Sequence, residues 1–164
     1  MILVNKNGFL NYKNKLYKCS IGKNGLNKKK IEGDKSTPIG IFSFGELYIR
    51  TDKIKIIKTN FKHINITKTM AWSDNPKSKH YNKLINVQDD HTEKMYRKDD
   101  LYDLLLVINY NIHPIIAFKG SAIFIHIAKK NYSPTTGCIG LKIDDFKEIL
   151  STLKPSDKIK ILEN

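Results

Sequence analysis

This sequence predicts a mainly β fold, and three observations predict it. Its apolar residues come in short alternating or continuous runs; Gly, Asn, Asp and Pro break those runs at short intervals; and one stretch alone repeats its apolar residues clearly at helical period. A strand sends successive side chains to opposite faces, so short runs bounded by turn formers read as half-buried or fully buried strands. They fall at residues 2–4, 16–21, 40–44, 47–49, 104–110, 122–126, 139–141 and 158–162. The helical stretch has Phe146, Ile149, Leu150 and Leu153 at i, i+3, i+4 and i+7, with Asp144 as N-cap and Pro155 just past the end. Its apolar stripe is expected to pack on the sheet. A second helix is expected over residues 93–102. Residues 69–90, polar and aromatic, read as a long ordered loop of the kind that carries function.

A chain of 164 residues with 40% hydrophobic content supports one core, so a single domain over 1–164 is expected. No apolar run approaches the roughly 18 residues of a membrane span. Met1-Ile2-Leu3-Val4 gives way to Asn5 and Lys6 before a signal-peptide core of about 7 apolar residues can form, so neither a transmembrane segment nor an export signal is expected. Cys19 and Cys138 are the only cysteines and no CxxC occurs, which excludes a disulfide framework and leaves free thiols. His63, His80, His91 and His113 lack metal-ligand spacing, and Asp89-Asp90-His91 reads as a solvated turn; no metal or cofactor is expected.

The net charge of +13 would draw the chain to polyanions. Its make-up points elsewhere. Arg50 and Arg97 are the only arginines, so the planar forks that read phosphates are scarce, while lysines are spread along the chain. Nucleic acid is therefore not the expected partner, and a basic, non-enzymatic polyanion-binding domain stands as the alternative from another class. The densest run, Lys28-Lys29-Lys30, lies in the Gly- and Asn-rich residues 22–33 and reads as an exposed loop.

The chemistry concentrates in two motifs. GSAIFIH at 120–126 reads as a strand placing Ala122, Phe124 and His126 on one face, with His126 at its end. TTGCIGL at 135–141 sets Cys138 next to a glycine, where backbone can approach closely, and starts a new strand. A thiol and an imidazole so placed suit acyl transfer: the thiolate attacks a carbonyl, the imidazole moves the proton, and backbone N–H groups at the turn hold the oxyanion. An imidazolium beside it is expected to acidify Cys138. Cys19, sharing a face with Tyr17 and Ile21, reads as a core thiol. Trp72 suits either a core cap or a substrate wall.

GSAIFIH followed by TTGCIGL resembles the catalytic signature of L,D-transpeptidases, in which a His-bearing strand precedes an S/T-x-G-C segment. GDKSTPIGIFSF at 33–44 strengthens the resemblance, since Gly33, Asp34, Thr37, Pro38, Gly40 and Phe42 fill that family's Gly-Asp-x-x-Thr-Pro-x-Gly-x-Phe segment. AWSDNPKSKHYN at 71–82 resembles a substrate-side segment of some members.

The resemblance implies a curved β-sandwich-like fold with one or two short helices, and peptidoglycan stem peptides as substrate. It implies Cys138 as nucleophile and His126 as general base and acid. Gly137, Thr136 and Thr135 would form the oxyanion and active-site turn, with Trp72, Tyr81 and Ser121 on the substrate. A further polar group should fix the imidazole tautomer. The implied reaction expels a terminal D-alanine and joins the acyl group to an amine of another stem; resolution by water would give an L,D-carboxypeptidase or endopeptidase. The implied location is the periplasm or cell wall; with no export signal expected, a cytoplasmic location or non-classical export stands as the alternative. One departure stands out: many members carry Arg two residues after the cysteine, where this chain has Gly140, and Lys129 or Lys142 is the expected substitute cation.

Overall fold

The computed structural model describes residues 1–28, 30–55, 57–86 and 92–163. Its elements in chain order are β1 (Ile2–Asn5), β2 (Phe9–Tyr12), β3 (Lys15–Ser20), β4 (Leu26–Asn27), β5 (Thr37–Pro38), β6 (Gly40–Ile49), β7 (His63–Asn65) and β8 (Ala71–Ser73). There follow β9 (Leu84–Ile85), β10 (Thr92–Lys94), β11 (Leu104–Ile108), β12 (Phe124–Ile127), β13 (Ile139–Leu141), α1 (Ile143–Leu150) and β14 (Lys158–Leu162). The expected mainly β architecture is what forms.

Eight strands join in a closed circuit, β11-β12-β13-β3-β2-β1-β14-β6, completed by pairing of β6 with β11, and β7 lies beside β6. The long β6 makes closure possible. Residues 40–43 pair with β14 and residues 44–49 with β11, so this strand, expected as two, runs from one half of the curved sheet to the other. β1 with β14 and β12 with β13 run parallel, while the other neighbours in the circuit are antiparallel.

The continuous apolar run of β11 has a direct cause: both faces are covered. Leu104, Leu106 and Ile108 point into the main core with Ile125, Ile139 and Phe146, whereas Leu105 and Val107 join Trp72, Phe124 and Cys138 in a second cluster. A small sheet, β10-β8-β9, supplies Trp72 to that second cluster. Each fully buried Leu, Ile or Phe contributes about 1.5–3 kcal/mol relative to exposure, so this doubly covered strand is a principal source of stability. The helix α1 buries Phe146, Ile149 and Leu150 in the main core, as its period predicts.

Three expectations change. The N-cap of α1 is Lys142, without a side-chain cap bond; Asp144 and Asp145 sit in the first turn, where their charges favour the helix dipole. Residues 93–102 form no helix. Glu93 pairs with Trp72 in β10–β8, and the chain then turns around Asp99, which accepts bonds from Arg97 Nε and Leu101 N and so competes with helical bonding. The expected loop at 69–90 contains β8 and β9; its residues 87–90, and the expected turn at 89–91, lie outside the described residues.

Candidate active site

Strand register builds the site. β12 and β13 run parallel with His126 beside Gly140 and Ile125 beside Ile139, which sets Cys138, one residue ahead of β13, level with Phe124. Phe124, His126, Cys138 and Gly140 therefore share a face. Strand spacing of about 4.8 Å and a two-residue offset of about 6.6 Å put the Cα atoms of His126 and Cys138 about 8 Å apart, a span their side chains can close. Gly140 is closely packed: a methyl group on it would collide with Ser20 Oγ of β3 and stand 3.1 Å from Ala128 Cα. A larger side chain, an arginine included, would need those neighbours to shift.

The imidazole is oriented by backbone: His126 Nδ1 lies 2.8 Å from Ile127 O, so the neutral ring carries its proton on Nδ1 and a lone pair on Nε2. This is the tautomer-fixing group that the sequence left unnamed. The thiol is placed by two backbone contacts. Cys138 Sγ donates to Ala122 O at 3.1 Å, and Phe124 N–H donates to Sγ at 3.4 Å. No hydrogen bond joins thiol and imidazole in this resting arrangement.

Burial sets the charge states. His126 is 6% exposed, and burial pulls its pKa down to about 4, with the carbonyl of Ile127 opposing and Arg97 and Lys129 assisting. Cys138 is 5% exposed, and burial pushes its thiol up to about 12; Phe124 N–H and Lys30 oppose the rise and Glu93 adds to it. Burial thus works against the expected acidification by an imidazolium and favours the neutral thiol and neutral imidazole, because neither ion is solvated here. Cys19 is a core thiol, also pushed up to about 12 by burial.

Two compartments, each of about 230 Å³, meet at Cys138. The first holds Ser20, Arg97, His126 and Lys129, the second Lys30, Glu32, Asp74 and Ser121; Glu93, Tyr102, Thr136 and Cys138 line both. Tyr102 donates to Glu93 Oε1 at 3.0 Å and sets its ring edge-on to His126 at 5.4 Å. A larger cavity of about 1130 Å³ lies elsewhere, walled by Phe44, Phe61, Trp72, Val107 and Ile112. Its lining includes no Cys, Ser, Thr or Tyr, so size does not decide the site.

The turn before Cys138 is held from behind by the 33–44 motif. Thr37 Oγ1 accepts from Gly22 N–H and donates to Gly137 O, both at 2.8 Å. Gly137 has φ +141° and a methyl on it would meet Ser36 O at 2.9 Å, so glycine is required there. Thr135 Oγ1 donates to Cys138 O at 2.6 Å and accepts from Gly137 N–H at 3.1 Å. The Gly137 amide is therefore already committed, while the Cys138 amide has no acceptor among the described residues.

Of the expected substrate residues, Ser121 lines the second compartment and donates to Glu32 Oε2 at 2.8 Å. Tyr81 also donates to Glu32 Oε2 and accepts from Gly120 N–H at 3.0 Å, a supporting place behind that wall; burial raises its phenol pKa. Trp72 lines the larger cavity, donates to Asn82 Oδ1 at 2.9 Å and packs edge-on against Phe124, apart from both compartments. Lys129 reaches the first compartment; Lys142 does not, and pairs with Asp144 at 3.5 Å. Sequence reasoning missed Ser20, Lys30, Glu32, Glu93, Arg97 and Tyr102 as site residues. Lys30 belongs to the triplet expected to be exposed, yet it is buried; Lys28 is exposed, and Lys29 lies outside the described residues.

The sequence profile of the YkuD L,D-transpeptidase catalytic domain matches residues 1–161. The chain belongs to the L,D-transpeptidase family. Its enzymes act on peptidoglycan. No curated protein matches the sequence. Among solved structures, it is similar to the helical cell shape determining protein Pgp2 from Campylobacter jejuni, at 16% identity and TM-score 0.47, over 99% of this chain and 47% of that one. It is also similar to an L,D-transpeptidase from Mycobacterium smegmatis, at 12% identity and TM-score 0.47, over 98% of this chain and 57% of that one. The chain thus spans about half the length of the structures it matches. Among the described residues, no three His, Cys, Asp or Glu side chains gather as a metal site, and no helix is long and apolar enough to cross a membrane.

Proposed function

We propose that this chain is a cysteine L,D-transpeptidase catalytic domain that works on peptidoglycan stem peptides in the cell wall or periplasm, with Cys138 as nucleophile and His126 as base and acid. The observation that carries the reading is the shared compartment in which Cys138 faces an imidazole whose Nδ1 proton is engaged by Ile127 O, leaving Nε2 to take a proton. As substrate enters, the thiol turns from Ala122 O and gives its proton to His126 Nε2. Sγ then adds to the carbonyl carbon of the residue before the terminal D-alanine. The new C–S bond forms as the carbonyl π pair moves onto oxygen, which the Cys138 N–H receives. Collapse breaks the C–N bond, and His126 returns its proton to the leaving amine.

The acyl-enzyme is a thioester. An amine of a second stem attacks it, passes a proton to His126 and leaves with the acyl group as a new amide, so the energy of one amide is conserved in another. Attack by water would instead give a carboxypeptidase. The burial of both reacting groups supports the sequence of events: charge separation is costly until substrate replaces water and the oxyanion donor is engaged.

The basic, non-enzymatic alternative is weakened by the arginines. Arg50 binds Asp52 and Arg97 binds Asp99, each through two nitrogens at 2.6–2.8 Å, so neither fork is open to phosphate. The test is incubation with muropeptides bearing diaminopimelate-containing tetrapeptide stems, followed by mass spectrometry. Released D-alanine with crosslinked dimers, both lost in Cys138→Ala, is the expected outcome. D-alanine without dimers at any acceptor concentration would make the chain a carboxypeptidase, and no turnover would overturn both.

A further inference from the structure

Lys30 sits in a run of three lysines and is nevertheless 3% exposed. Burying an ammonium costs several kcal/mol unless partners compensate, so its position calls for a cause. Its Nζ donates to Asp34 Oδ1 at 2.7 Å. An ammonium has three donors, and Asp34 is the only acceptor among the described residues. Two donors remain, at the wall of the compartment that Lys30 shares with Ser121, Thr136 and Cys138.

Two glycines of the catalytic motifs make room for this side chain. A methyl on Gly120 would stand 2.9 Å from Lys30 Cε and 3.0 Å from Cδ, and one on Gly137 would stand 3.5 Å from Nζ. Gly137 immediately precedes Cys138, so the ammonium lies beside the turn where an oxyanion would form. Asp34 does not cancel it in place. Its carboxylate also accepts from Ile31 N–H at 3.0 Å and Ser36 N–H at 3.0 Å. Burial would raise that carboxyl's pKa, but the bonds from Lys30 and Ser36 outweigh it and hold the group down at about 2.

We propose that Lys30 is a catalytic residue of the Cys138 site, donating to the amide carbonyl oxygen that becomes an oxyanion when Sγ adds to it. It supplies the second donor that Gly137 N–H, tied to Thr135 Oγ1, does not provide. The proposal rests on the acyl-enzyme reading above. Asp34, by holding Nζ, is its positioning residue, which gives the 33–44 motif a part in the chemistry as well as in the fold.

The experiment compares two reactions of Cys138 in the wild type, Lys30→Met and Lys30→Gln. Acylation by the carbapenem meropenem, followed by intact mass, passes through an oxyanion; alkylation by iodoacetamide needs the same thiol and forms none. Loss of an oxyanion donor typically costs about 100- to 1,000-fold, so both variants should acylate at least about 30-fold more slowly while alkylation changes less than about 5-fold. Thermal melting checks the fold. If Lys30→Met does not melt cooperatively, Lys30→Gln, which keeps a donor for Asp34, decides. Parallel losses in both reactions, or acylation within about 3-fold of wild type, would overturn the role of Lys30. A wild type that neither takes up meropenem nor turns over muropeptides would overturn the acyl-enzyme reading itself, and this inference with it.

Discussion

His126 on β12 and Gly140 on β13 are register partners on adjacent parallel strands, and the absence of a side chain on Gly140 lets Ser20 of β3 and Ala128 approach closely. Gly140→Ala is expected to destabilise the fold by about 1–3 kcal/mol through overpacking. Urea unfolding measures it, and a second substitution, Ser20→Gly, should recover a good part of the loss. A cost under about 0.5 kcal/mol would show that the neighbours yield more easily than the packing implies.

Reactivity of the two thiols should differ by access and not by acidity. Burial pushes both to about 12, but Cys138 lines two compartments whereas Cys19 is enclosed in the main core. Iodoacetamide should label Cys138 at least about 10-fold faster than Cys19, with a rate that climbs steadily through pH 9, since only the thiolate reacts. Peptide mapping across pH reads both quantities. A plateau above pH 6 would reveal a thiolate–imidazolium pair already formed at rest.

His126 also couples stability to pH. Its folded pKa of about 4 lies below the unfolded value of 6.5, so the unfolded chain binds the extra proton first and stability falls as pH drops from 6.5 to 4. At about 1.4 kcal/mol per unit, the wild type should lose roughly 3 kcal/mol between pH 7 and pH 4 beyond what His126→Gln loses. Parallel denaturant titrations of the two proteins test this. Identical pH slopes would mean that the folded ring takes up its proton as readily as the unfolded one.

For the reaction, His126→Ala should leave a cooperatively melting protein in which acylation by meropenem is slowed about 100- to 10,000-fold, the usual cost of removing a general base. Retained acylation in the folded variant would assign His126 to structure alone.

Thr37 offers a test of the support behind the nucleophile. Its hydroxyl serves Gly22 N–H and Gly137 O at once, both buried. Thr37→Val keeps the shape and strands two polar groups, at a cost of about 2–4 kcal/mol. At about 2–4 °C per kcal/mol for a chain of this size, melting should fall by roughly 5–15 °C. A shift under 2 °C would mean that other donors replace the hydroxyl.

The sequence was most legible where burial follows a simple alternation. The main strands of the closed circuit announce themselves because their apolar residues must meet a core on one or both faces, and α1 because its stripe meets the same core. β2 escaped notice because its hairpin turn uses Lys13-Asn14, both at positive φ, instead of a glycine. The 93–102 segment misled because its apolar residues bury through irregular turns stapled by Asp99. At the site, Cys138 and His126 were readable from glycine, thiol and strand order. Lys30 was not: nothing local distinguishes it from Lys28, and the glycines that admit it stand some hundred residues further along the chain.

Ile2 lies beside Ile159, and Ser20 beside Gly140. Pairings this distant lose loop entropy before any contact repays it, which places the chain among slow folders. The turn at Cys138 depends on them, because Thr37 and the backbone of β12 hold it in shape and both reach it only as the circuit closes. Until then, the TTGC stretch is a tether carrying an ordinary thiol, with no imidazole fixed beside it. The order of assembly therefore withholds acyl transfer from a newly made chain, because the arrangement of thiol, imidazole and oxyanion donor is the product of completed folding.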